Sequence, residues 1–245
     1  MLILALDTTT RTSSCAVARD GAVLREQAGN ASTPQAERLP GDLIALLEHE
    51  RLALAEIDAF AVATGPGSFT GLRIGIATMQ GLAFATGKPL IGVSGFDALA
   101  HVIVRLRPEA TGDEPRPEAT PARLATWVDA WRGEIYAALY ENGHEVEPPL
   151  VARPEDVLDA LRRRLSESES RVPIVFAGDG AGTYRDLILR ILGDQARIAD
   201  PASPWLAGAV AQLAGARPGL HPPHAIRPLY VRRPDAELAR EHRVR

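Results

Sequence analysis

Strand-length apolar runs, each closed by turn residues, recur along the first hundred positions. Leu2-Ile3-Leu4-Ala5-Leu6 is unbroken, which predicts a buried strand. Segments 12–18 and 22–29 predict two more strands, joined through Asp20-Gly21, a strong hairpin dipeptide. Ser32-Thr33-Pro34 predicts a helix start. That helix should run to about Glu50, with Pro40-Gly41 placed to kink or shorten it. A strand over 58–64, a helix over 71–86 and a short strand over 89–93 follow. In the second half the pattern predicts strands near 124–129, 134–140 and 173–177. Helices are expected at 154–167, 181–193 and 203–214, the last capped by Ser203 with Pro204 after it. Alternating strands and helices of this kind define an α/β protein.

The 71–86 helix departs from the amphipathic norm. Its one charged residue is Arg73, and Gly71, Gly75, Ala77, Thr78, Gly81, Ala83 and Ala85 are small. A helix that is apolar or small all round is buried or covered by a partner, and small residues admit a second helix at close range. The loop before it, Gly65-Pro66-Gly67-Ser68-Phe69-Thr70-Gly71, places glycines ahead of a helix start. Such a turn suits either an anion or another backbone in close approach.

Composition bounds the function. The chain has 245 residues, 46% hydrophobic and 24% charged, with a net charge of −4. That charge disfavours independent grip on nucleic acid. The only cysteine is Cys15, so neither a disulfide framework nor a cysteine-based metal site is expected. No apolar run approaches the roughly 20 residues of a membrane span and no secretory leader is recognisable, so a cytoplasmic protein with no membrane partner is expected. Between residues 107 and 121, Arg-Pro-Glu-Ala-Thr occurs twice among Pro, Glu and Gly, which predicts a loop. A lobe boundary is expected near it, giving an N-terminal lobe over 1–104, a C-terminal lobe over 105–230 and a charged tail over 231–245.

Candidate chemistry is sparse. Asp7 ends the first strand and is followed by Thr8, Thr9 and Thr10. A phosphate loop there would want glycine where Thr9 stands. Asp129-Ala130-Trp131-Arg132 puts a carboxylate and an indole at another turn. Gly178-Asp179-Gly180 precedes the 181–193 helix and suits either a nucleoside or a tight strand-to-helix connection. Asp97 and His101 share a helical spacing, but their best reading is a surface or helix-end contact. Neither a nucleophile elbow nor the Gly-Lys-Ser/Thr ending of a P-loop is present.

Five segments in order carry a family resemblance: LALDTTT at 4–10, GPGSFTGLRIG at 65–75, VDAWRGEIY at 128–136, AGDGA at 177–181 and PLYVR at 228–232. Together they resemble the TsaB (YeaZ-type) family, the non-catalytic paralogues of TsaD in bacterial synthesis of threonylcarbamoyladenosine in tRNA. The resemblance implies an actin, Hsp70 and sugar-kinase-like superfold of two lobes, each with a mixed sheet and flanking helices. It implies a subunit without catalytic residues, metal or required cofactor. Its partner would be TsaD, with the TsaE ATPase completing the complex, tRNA reached only through the assembly, and a homodimer when TsaD is absent.

The family's pairing surface is a bundle of its first two helices, here about 34–50 and 71–86. On that basis Leu43, Leu47, Gly71, Ile74, Gly75, Thr78, Met79 and Leu82 are expected at the interface. Asp7, Thr8, Gly178 and Gly180 are the positions where a residual nucleotide pocket would lie. TsaD carries two histidines four apart on a helix, and Gly95 and Leu99 align with them here, which removes that metal site. Two other readings stay open: an ATP-dependent kinase or carbamoyl transferase acting alone, and a nucleotide-sensing regulator built on the Gly178–Gly180 turn.

Overall fold

The computed structural model describes residues 1–10, 13–29, 33–105, 123–167, 172–216 and 222–231. It opens with antiparallel β1 (Leu2–Asp7), β2 (Ser14–Arg19) and β3 (Ala22–Ala28). Asp20 and Gly21 both take positive φ, 49° and 83°, the geometry that a two-residue hairpin needs. Next come α1 (Gln35–His49), β4 (Ala59–Ala63), α2 (Phe69–Thr86), β5 (Leu90–Val93) and α3 (Gly95–Arg105). The first sheet runs β3-β2-β1-β4-β5, with β4 parallel to β1 and β5. Pro40 does not end α1, whose buried Leu39, Leu43, Leu46 and Leu47 fasten both sides of it to the sheet. Ser68 caps α2 by accepting a hydrogen bond from Gly71 N at 3.2 Å, so the helix starts two residues before the sequence pattern suggested.

The second sheet holds β6 (Arg123–Asp129), β7 (Ile135–Glu141), β8 (His144–Glu145), β9 (Leu150–Ala152), β10 (Ile174–Ala177) and β11 (Ala196–Ile198). Its order is β11-β10-β6-β7-β8, and β9 also pairs with β7. Its helices are α4 (Pro154–Ser166), α5 (Asp179–Thr183) and α6 (Arg185–Leu192), and α7 (Ala207–Ala216) follows β11. The expected single helix over 181–193 is broken at Tyr184 (φ −102°, ψ 21°). The glycine-bearing α5 lies against the end of β6, while α6 turns Ile188 and Leu192 into the core. The short β8, β9 and β11, and α3, were not predicted. The 107–121 loop and nearly all of the 231–245 tail lie outside the described residues.

Strand alternation explains the layers. On β1 and β4, Leu2, Leu4, Leu6, Phe60 and Val62 face α1 and α2. Ile3, Ala5, Ala59, Ala61 and Ala63 face a core shared with α3, α7 and the second sheet. The alanines let those helices lie close to the sheet. On β6, Leu124 and Val128 enter the same shared core, while Ala125 and Trp127 face α4, α5 and α6. Trp127 packs edge-on against Phe176, with ring centroids 5.2 Å apart.

α7 follows the second sheet in sequence but packs against β1 and β2. A cut at residue 104 therefore separates this helix from the strands it covers. Ser203 is not its cap, because 203–206 run non-helically before Ala207. The helix start is satisfied from the first sheet: Leu206 N and Ala207 N donate to Ser14 Oγ at 3.2 and 3.1 Å, and Gly208 N donates to Glu26 Oε1 at 2.9 Å. Burial pushes the Glu26 carboxyl upward, and hydrogen bonds from Gly208 N, the Ser14 hydroxyl and Ala207 N pull it back. Ser14→Ala should lower stability by about 1–2 kcal/mol, the usual worth of a helix cap. Thermal melting checks this, and an unchanged midpoint would show that α7 holds without that cap.

Candidate functional site

The glycine loop before α2 is filled by the protein's own backbone. A Cβ at Gly67 would overlap Thr9 O, and one at Gly71 would stand 2.6 Å from Thr8 O. A Cβ at Gly75, one helical turn on, would overlap Thr8 Oγ1 and lie 2.9 Å from Thr8 Cγ2. Ser68 N donates to Thr9 O at 3.2 Å, and Gly95 N to Gly65 O at 2.7 Å. Of the two uses that glycines serve here, close backbone approach is the one this loop shows.

Asp7 lies at the centre of that approach and is 1% exposed. Its Oδ1 accepts from Thr9 N at 2.9 Å and from Thr9 Oγ1 at 2.6 Å. Burial raises its pKa from 3.8 to about 6 against the pull of the two Thr9 hydrogen bonds, and the Glu26 and Asp179 carboxylates push further upward. Thr8 Oγ1 is buried and has no hydrogen-bond partner among the described residues.

Asp129, Trp131 and Asp179 build a second turn. Asp179 Oδ1 accepts from Asp129 N and Gly180 N, both at 2.9 Å, and Asp129 Oδ1 accepts from Trp131 N at 2.9 Å. Trp131, Arg132 and Gly133 take φ of 56°, 60° and 77° to close it. Gly178 has φ 108°, donates to Ala202 O at 2.6 Å, and leaves no room for a Cβ beside Trp127 O. At Gly180 a Cβ would stand 3.0 Å from the same oxygen. Asp7, Thr8, Gly178 and Gly180 are thus each engaged in local packing, and the Asp179 carboxylate stands near enough to Asp7 to push its pKa upward. Gly178→Ala should cost about 3 kcal/mol from combined φ strain and overlap. Chemical denaturation reads this directly, and a variant as stable as the parent would mean the turn is free to move.

The predicted interface positions divide by depth. Leu43, Leu47, Gly71, Gly75 and Met79 are buried inside this chain, against the first sheet and Thr8, so none of them presents a side chain outward. This corrects their assignment to the partner surface. Ile74, Thr78 and Leu82 remain partly exposed. With Thr70, Ala77, Gly81 and Ala85 they follow the 3.6-residue period as an outer stripe that, among these seven, holds no charge. No atom lies within 4 Å of where a Gly81 Cβ would stand. Phe84 borders the stripe at 87% exposure and Ile44 of α1 is 57% exposed. A helical wheel could not say which small face of α2 points inward, since Gly71 and Gly75 look like Gly81 and Ala85.

Asp97 and His101 go separate ways. Asp97 Oδ1 accepts from Tyr140 Oη at 3.1 Å, and His101 Nε2 lies 3.1 Å from Gln212 Oε1 on α7. Burial lowers the histidine's pKa and raises the tyrosine's. Among the described residues, no three His, Cys, Asp or Glu side chains stand close enough to share a metal ion. No described helix is long and apolar enough to cross a membrane.

Two mixed sheets around a shared helical layer are the architecture of the actin-like superfold. Component A of (R)-2-hydroxyglutaryl-CoA dehydratase from Acidaminococcus fermentans shares that fold at 12% identity, with a TM-score of 0.52 over 88% of this chain and 98% of its own. The family described as TsaD, tRNA N6-adenosine threonylcarbamoyltransferase, matches residues 25–240, so the chain belongs to it. Within that family it is of the TsaB (YeaZ) type. It is 36% identical to tRNA threonylcarbamoyladenosine biosynthesis protein TsaB of Escherichia coli over 68% of this chain and 69% of that one. A YeaZ-like structure from Pseudomonas aeruginosa superposes with a TM-score of 0.71 at 28% identity, covering 94% of this chain and 99% of its own. An uncharacterized Mycobacterium leprae protein is 36% identical over 64% of this chain, which spans 40% of that protein's length.

Proposed function

We propose that this chain is a non-catalytic subunit of the tRNA threonylcarbamoyladenosine machinery, pairing with a TsaD-type transferase through α2 and α1. Its TsaB relatives are named for that pathway, and its own role lies there. The observation that carries the pairing is the uncharged outer stripe of α2, bordered by exposed Phe84, with Ile44 exposed on α1. Water gives such a surface little, whereas a second helix can approach closely over Ala77, Gly81 and Ala85. A homodimer through the same stripe forms when the transferase is absent. TsaE, an ATPase, completes the assembly, and tRNA is reached within it.

The two turns count against independent chemistry. A nucleotide phosphate at the β1 turn would have to displace Thr9 from Asp7 and enter space held by Gly67 and Thr9. At the second turn, Asp179 already accepts from the N–H groups of Asp129 and Gly180. The Asp7 and Asp179 carboxylates would repel a triphosphate placed beside them. These residues do not fit the nucleotide that the superfold commonly takes. The chain alone should therefore show no threonylcarbamoyl transfer, ATP turnover or peptide cleavage. Added to TsaD, TsaE, the threonylcarbamoyl adenylate and unmodified tRNA, it should switch modification on. Turnover by the lone protein, abolished by Asp7→Ala, would overturn this reading in favour of an enzyme.

A further inference from the structure

A groove of about 630 Å³ runs between α2 and the described segment 222–231. Its walls are fixed to each other. Gln80 Nε2 donates to Pro223 O at 2.9 Å and Ile226 O at 3.3 Å, and Leu229 N donates to Thr64 O at 2.7 Å. Arg73 Nε donates to Tyr230 Oη at 3.2 Å, and the Arg73 guanidinium lies 3.9 Å over the Phe69 ring, itself 5.6 Å from that of Tyr230. The groove is therefore built by specific contacts along its length. Arg73, His224 and Arg227 line it, and no carboxylate does among the described residues. This is a locally basic surface on a chain of net charge −4. Phe84 lines one wall at 87% exposure, and Tyr230 lines the other at 43%.

We infer that this groove holds a single-stranded stretch of the tRNA substrate. Cations along a channel draw phosphates, and exposed aromatic rings stack bases of any identity, which is the combination that single-stranded nucleic acid uses. An acidic protein segment would use the cations but leave the rings without a comparable role. Position supports the same occupant. Arg73, Gln80 and Phe84 lie beside the outer stripe of Ile74, Gly81 and Ala85 on the same helix, so the groove opens along the seam where the transferase would sit. A strand lying there is delivered to the partner, which explains how a net acidic chain contributes to RNA recognition only within a complex. The inference rests on the proposed role in a tRNA-modifying assembly.

The test uses the chain assembled with its TsaD partner and a fluorescein-labelled anticodon stem-loop RNA. Sedimentation first establishes pairing, then anisotropy across a potassium chloride series gives affinity. The double variant Arg73→Gln/Arg227→Gln should bind at least about 10-fold more weakly, and its log–log salt slope should fall by about 1.4, or about 0.7 for each phosphate that an arginine no longer neutralises. Photo-cross-linking of 5-bromouridine RNA to the unmodified complex needs no variant and should mark peptides containing Phe84 or Tyr230. Intact pairing with unchanged affinity and slope, or cross-links confined to other peptides, overturns the inference and leaves the pairing role standing. Hydrogen-exchange protection of 222–231 by the partner alone, with no change when RNA is added, assigns the groove to a protein segment and also overturns it. Failure of the parent chain to pair with TsaD would instead sink the proposed function, and this inference with it.

Discussion

The Gly81→Arg chain should fold normally and fail to pair. Position 81 faces open space, so the first atom of the new side chain meets nothing among the described residues beyond its own helix. Replacing glycine in a helix interior even favours folding, by about 0.5–1 kcal/mol. At a close helix contact the guanidinium would be buried without a partner, at a cost of about 3–5 kcal/mol. Pairing should weaken by at least about 100-fold. Gly75→Arg is the instructive contrast. It lies one helical face away, where a Cβ already overlaps Thr8, and it should lose the fold itself. Sedimentation with and without TsaD, beside thermal melting, separates the two. If Gly81→Arg still pairs at parental affinity, the outer stripe of α2 is not the interface.

Asp7→Asn should stabilise the chain near neutral pH and do almost nothing in acid. Burial raises the Asp7 pKa from 3.8 to about 6 in the folded protein. The folded state therefore favours the protonated acid. The stability this gives is complete below about pH 4 and is lost as pH rises through 6. The charged form costs about 3 kcal/mol relative to the neutral one. Asparagine keeps an oxygen to accept the Thr9 N–H and hydroxyl while never ionising. The variant's advantage should grow from near zero at pH 4 to about 3 kcal/mol above pH 7, or roughly 6–12 °C in melting temperature for a chain of this size. Taking the difference between the two proteins removes the titration of Glu26, which is also raised. A difference that stays flat with pH would mean that Asp7 is solvated or paired.

Much of the scaffold was legible because its signals are local. An unbroken run at 2–6, the Asp20-Gly21 dipeptide and apolar segments over 58–64 and 173–177 each name a strand without reference to distant residues. Five motifs in order reached the family. The turns at Asp7 and at Gly178–Gly180 were legible as turns and not by use: what their glycines face could not be read from the chain.

By itself the sequence determined the α/β class, the strand and helix order from β1 to β5, and an α2 that is small and uncharged almost all round. These follow from periodicity and turn chemistry, which act over a few residues. Only the tertiary structure decided which small residues of α2 point inward, because that depends on where Thr8 lies. It alone capped α7 with Ser14 and Glu26, nearly two hundred residues earlier in the chain, in place of Ser203. It alone broke the 181–193 helix at Tyr184 and laid 222–231 along α2 to form the basic groove. Each of these rests on a contact between segments far apart in sequence. Hydrophobic patterning marks which segments are buried, but not which distant neighbour buries them or, on α2, which small face turns inward.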